Sequence, residues 1–153
     1  MSPSHNRFQH TGRPLTSEDL DTVEKELGIQ LPETLRSHYL RYNGGIPERK
    51  VSTAPGYLGF EVHEFDTMRY PQSATDAVFE EHYRMLVGRG LLPSTFIPFA
   101  INGGGDPFCI STVDGGIYFH PMDYDESRGP RFIRLADSLE EFVEGLLDEA
   151  PED

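Results

Sequence analysis

Apolar residues recur along this chain at helical spacing, then near alternation, then at helical spacing again. After a polar opening stretch, 1–14, Leu20, Val23 and Leu27 mark one face of a helix. Thr16 followed by Asp19 is close to a capping box, Leu15 and Leu20 are placed as a hydrophobic staple, and Gly28 is a fitting stop. Pro32 can open a second helix, predicted over about 33–42, with Leu35, Tyr39 and Tyr42 as its stripe and Asn43-Gly44-Gly45 as its end. Beyond Pro47 the period moves toward two. Val51, then Leu58, Phe60, Val62 and Phe65, predict two short strands turning near Pro55-Gly56. Helical spacing returns over 74–88 through Ala74, Val78, Tyr83, Met85 and Leu86.

The last third reads as strands and one final helix. Phe96 to Phe99 predicts a strand, placed at an edge by Pro98, and Asn102 to Asp106 a turn. Pro107 to Val113 predicts a strand with Phe108 and Ile110 on one side and Cys109 on the other. Asp114-Gly115-Gly116 signals a hairpin back into Ile117 to His120. A polar, acidic loop, 121–131, leads to a last strand with Phe132, Ile133 and Leu135. Ser138 then caps a helix whose Leu139, Phe142, Val143, Leu146 and Leu147 follow the amphipathic pattern closely. Helices and short strands intermixed this way predict an α+β domain over 15–149, preceded by a flexible arm, 1–14, and followed by an acidic tail, 150–153.

Composition narrows the function. With 153 residues the chain suits one domain, and 10 Phe and 7 Tyr supply a core. A single cysteine, Cys109, rules out an internal disulfide and zinc sites built from cysteine pairs. No basic start leads into an apolar run and no apolar stretch approaches ~20 residues, so neither a signal peptide nor a membrane span is expected. The cytoplasm is the simplest compartment. The formal net charge is -13, which argues against a phosphate-binding surface and for solubility or a basic partner. Asp137 to Asp153 holds eight acidic and no basic residues, so -8 of the -13 sits at the C-terminal end.

The order of signals resembles one family. A capped helix is followed by Leu-Gly-Ile-Gln-Leu-Pro (27–32) and then by a helix running into Tyr42-Asn43-Gly44-Gly45. Later come Leu92-Pro93, Phe96 to Ala100, Asn102 to Asp106, Gly116-Ile117-Tyr118 and Ser138 to Phe142. Over roughly 15–148 this set is similar to the SUKH superfamily of Smi/Knr-like proteins. Many relatives carry a tryptophan among these motifs and this chain has none. The resemblance implies a mixed, mostly antiparallel sheet with helices packed around it. It also implies a protein-binding role. Bacterial members are interpreted as immunity proteins that neutralise toxins, often nucleases, and fungal relatives as regulatory interaction modules. It implies no catalytic residues.

Other chemistry is outweighed by ordinary readings. The Asn102–Asp106 segment is glycine-rich, but a phosphate loop needs Gly-Lys-Ser/Thr opening a helix, and here Pro107 and a strand follow. Asp123, Asp125 and Glu126 share one loop without the register of a calcium site. The six histidines lack metal-ligand spacing, and Cys109 lacks a neighbouring base. No enzyme activity, cofactor, metal, nucleic-acid or membrane partner is therefore expected. The candidate contact residues for a basic protein partner are Asp123, Asp125 and Glu126 in the loop and Glu140, Glu144 and Asp148 in the final helix. One-signed charge there forgoes the Glu-to-Lys pairs that help a helix, and Asp148 would oppose the helix dipole.

Overall fold

The computed structural model describes residues 5–123 and 131–150. Its centre is a five-stranded antiparallel meander in the order β5 (Glu64–Phe65), β6 (Phe96–Ile101), β7 (Pro107–Ser111), β8 (Ile117–Phe119) and β9 (Ile133–Ala136). Two short two-stranded antiparallel pairs flank it. β1 (Phe8–Gln9) pairs with β2 (Ile46–Pro47), and β3 (Val51–Ser52) with β4 (Phe60–Glu61). The helices are α1 (Ser17–Leu27), α2 (Glu33–Arg41), α3 (Phe79–Leu86) and α4 (Leu139–Gly145). The α+β class is thus the observed one.

Alternation along β7 divides the interior. Phe108 and Ile110 face the main core, where Phe142 of α4 meets Phe99 and Phe108 at ring distances of 6.0 and 5.8 Å. Cys109, between them, faces a second cluster with Leu86 and Leu92 under α3. Tyr39 of α2 is fully buried, and its hydroxyl donates to the Asp66 carbonyl at 2.7 Å.

Several elements form as the sequence predicts. Thr16 and Asp19 complete a reciprocal capping box, and Gly28 ends α1 in the left-handed region. The Asn102 side chain accepts from the backbone of Gly104 and Asp106, which makes 102–106 a tight strand-to-strand turn. Pro98 sits on a strand that is interior in the sheet order. β5 covers β6 only at Ala100 and Ile101, so the Pro98 stretch is locally uncovered on that side, and the register shifts next to it.

Three expectations are corrected by tertiary contacts. The helix predicted over 74–88 begins only at Phe79, because Thr67 holds 77–79 extended: its N–H donates to the Ala77 carbonyl, and its own carbonyl accepts from Phe79. The final helix stops at Gly145. The Leu147 carbonyl accepts from Lys50 and Val51 at 3.0 and 2.9 Å, and its N–H donates to Val51, so this residue pairs as a strand and stays 41% exposed. Residues 5–14, expected to be a free arm, pack on the body. Phe8 is buried against Tyr42 and Phe65, and the Asn6 amide bridges the Arg49 and Val143 carbonyls.

Candidate protein-binding surface

Of the acidic residues singled out from the sequence, the described ones, Asp123, Glu140, Glu144 and Asp148, do not all share one groove. Glu140 stands exposed in the first turn of α4, where an acidic side chain suits the positive end of the helix dipole. Glu144, one turn on, is half-buried and already occupied. Its carboxylate accepts from the Asn6 N–H at 3.1 Å and lies 3.7 Å from the Arg49 guanidinium. Asp148 lies beyond the helix, in a bend that follows Leu147 beside β3 and β4, so the helix-dipole objection to it falls away. Asp123 is exposed at the end of the turn after β8, next to Met122, whose N–H donates to Asp106. Asp125 and Glu126 lie outside the described residues.

Among the described residues, Glu140 and Glu144 line one groove and Asp148 another. The first, of about 310 Å³, lies between α2 and α4, with Glu33, Glu140 and Glu144 against Arg41 and His5, and Leu139 and Val143 below. His38 also lines it. Burial, with help from Arg41, pushes the His38 imidazole down to about 4, so it is neutral near pH 7. The other lies around β4 and the segment after α4, where Glu61, Asp148 and Glu149 rim an apolar depression. Phe60 of β4 packs on Phe119 at 4.8 Å, which sets this second surface at the end of β8 that leads toward Asp123.

Sequence reasoning missed the cation that serves α4. Arg49 donates to the Leu146 and Glu144 carbonyls at 2.9 and 3.0 Å, capping the C-terminal end of the helix and offsetting its acidic side chains. This partner comes from the β2–β3 connector, so no i,i+4 pattern could disclose it. A second unforeseen feature is the pair formed by Asp66 and His82. The Asp66 carboxylate is fully buried after β5, and one of its oxygens lies 2.8 Å from His82 Nδ1 on α3. That contact raises the His82 pKa.

Other chemically capable groups sit in structural settings. Cys109 is fully buried, and burial pushes its thiol far above the ordinary range, away from nucleophilic use. His120 is buried, its ring hydrogen-bonding the Arg131 carbonyl at 2.9 Å and stacking on Phe132. Among the described residues no group of three or more His, Cys, Asp or Glu side chains is placed to hold a metal ion. No helix among them is long and apolar enough to cross a membrane.

An antiparallel meander with helices is an α+β arrangement consistent with the family that the sequence matches. The pattern of the SMI1 / KNR4 family (SUKH-1) matches residues 14–145, most of the chain, and the protein belongs to that family. It is similar to the SPbeta prophage-derived uncharacterized protein YokK of Bacillus subtilis (strain 168), at 27% identity over 154 aligned residues covering 88% of this chain and 76% of the relative. The family match begins at residue 14, so the packed segment that places Phe8 in the core lies outside it.

Proposed function

We propose that this protein is an immunity-type protein that neutralises a toxin, of the nuclease-effector class, by direct binding in the cytoplasm and without catalysis. The observation that carries the reading is SUKH family membership over most of the chain. The charge distribution supports it. Exposed carboxylates at Glu140, Asp123 and Asp148 can complement a basic nuclease surface, speeding encounter and fixing orientation.

The test is capture from lysate of the source organism with neighbouring gene products co-expressed, followed by a growth assay with any toxic protein retained. A tight complex that restores growth is expected, with association slowed by salt and by Glu140→Gln or Asp123→Asn. Capture of a housekeeping protein with no protection would overturn the toxin reading and favour the regulatory interaction module. An association rate indifferent to salt and to these changes would overturn the electrostatic part alone.

A further inference from the structure

After α4 the chain runs beside the β3–β4 hairpin and leaves a depression of about 280 Å³ between residues 58–61 and 147–150. Its floor is apolar, made by Val51, Leu58, Gly59 and Ala150, and its rim carries Glu61, Asp148 and Glu149. Three large apolar side chains stand in solvent in and next to it: Leu58 at 77%, Tyr57 at 42% and Leu147 at 41% exposure. Single exposed apolar residues are ordinary, but a group around a concave floor with a polar rim marks an interaction site.

The walls are fixed in advance. Val51 is held by β4 on one side and by the reciprocal Leu147 hydrogen bonds on the other. Tyr57 is braced against Phe60 at a ring distance of 5.2 Å. The floor is kept open by a residue that must be glycine. Gly59 has φ 147°, and a Cβ there would lie 3.1 Å from Val51 Cγ1 and 3.5 Å from Ala150 Cβ. A preformed groove avoids the ordering cost that a mobile one would carry on binding.

We propose that this groove is a docking site for a segment of another protein in which large apolar side chains are flanked by lysines or arginines. The inference rests on the partner-binding function above and gives it a place. Charge selects the occupant. Among the described residues no Lys or Arg lines the groove, and Lys50, its sequence neighbour, lines a different cavity with Gln9 and His10. A second copy of this chain would set one carboxylate rim against another in a protein of net charge -13. A neutral apolar segment would strip water from the rim and leave it unpaired. A basic-flanked apolar segment fills the floor and pairs the rim.

The experiment titrates the isotope-labelled full chain, by amide chemical shift, with two synthetic peptides of equal charge, Lys-Arg-Leu-Phe-Arg-Lys and Lys-Arg-Gly-Ser-Arg-Lys, at low and high salt. The first is expected to shift residues 57–61 and 147–150 saturably and to bind roughly tenfold tighter than the second, about 1.4 kcal/mol. Leu58→Ala, at an exposed position that leaves the fold intact by circular dichroism, should remove most of that preference. Glu61→Gln with Asp148→Asn should flatten the salt dependence. Equal binding of both peptides, or shifts spread over the whole acidic surface, would overturn the site. So would a dimer in sedimentation that Leu58→Lys dissolves, since the occupant would then be a second copy. Peptide binding at the groove without toxin protection sinks only the immunity function. Protection by a toxin complex that survives Leu58→Lys sinks only the groove.

Discussion

Replacing His82 with alanine isolates the energetics of the buried Asp66 carboxylate. Asp66 is fully buried; one oxygen meets His82 Nδ1 at 2.8 Å, and the other has no hydrogen-bond partner among the described residues. Deleting one member of a buried pair costs about 3–5 kcal/mol, because the remaining charge is left uncompensated. His82 keeps 22% of its side chain exposed, so water can enter the vacated space, and the lower end, about 3 kcal/mol, is expected. The loss depends on pH in a way that identifies its origin. The hydrogen bond to Asp66 raises the His82 pKa, with Glu81 and Glu64 adding to it. The stability this contributes is fully present below the ordinary imidazole value of 6.5 and is lost as pH rises through the raised folded value. In the variant, burial still raises the Asp66 pKa and the opposing imidazolium is gone. Its folded state then holds a proton that the unfolded state releases, so the variant gains stability toward acid. The difference between the two proteins should therefore peak at mildly acidic to neutral pH and shrink on both sides. Urea unfolding followed by far-UV circular dichroism across pH 4–9 measures it. A loss below about 1 kcal/mol at pH 6, or one flat with pH, would refute the buried-pair argument. Asp66→Asn keeps an acceptor for a neutral His82 and removes the buried charge, so it should fall within about 1 kcal/mol of the parent.

Three further perturbations test separate parts of the fold. Phe8→Ala should cost about 3 kcal/mol by chemical denaturation, whereas a free arm would lose nothing. Gly44→Ala should be more destabilising than Gly115→Ala in thermal melts. Both have positive φ, but a Cβ at Gly44 would lie 2.9 Å from the Asp66 carbonyl oxygen, while nothing lies within 4 Å at Gly115. Cys109 should resist thiol reagents at pH 8 in the native protein and react fully in denaturant, since burial keeps the thiol protonated.

Elements with local causes were legible from the sequence. The start of α1 is written in Thr16 and Asp19, the 102–106 turn in Asn102 and its glycines, and the two faces of β7 in Phe108, Cys109 and Ile110. Misreadings fall where a distant partner competes. Helical periodicity continues through Leu146 and Leu147, yet two hydrogen bonds into the Leu147 carbonyl and one from its N–H outweigh another half-turn of helix. Asn43 looks like an ordinary helix stop. Its side chain instead accepts from the Met68 N–H at 2.8 Å and donates to the Met68 carbonyl at 2.9 Å, closing a contact that no local pattern contains. The acidic candidates follow the same division. Exposure of Glu140 came from helix phase, while the partner of Glu144, Arg49, is 95 residues away in the chain.

The described carboxylates near the C-terminal end therefore divide into two kinds. Glu144 accepts from the N-terminal segment through Asn6, and Arg49, which caps α4, lies beside it, so neutralising Glu144 would disturb folding as well as any interface. Glu140, Asp148 and Glu149 are exposed and lack this structural role. A surface that binds a basic partner must keep some of its carboxylates free of internal cations, because those already paired contribute little to long-range attraction. Separating the two kinds by variant, with Glu144→Gln judged on stability and Asp148→Asn on association rate, follows from their different partners in the fold.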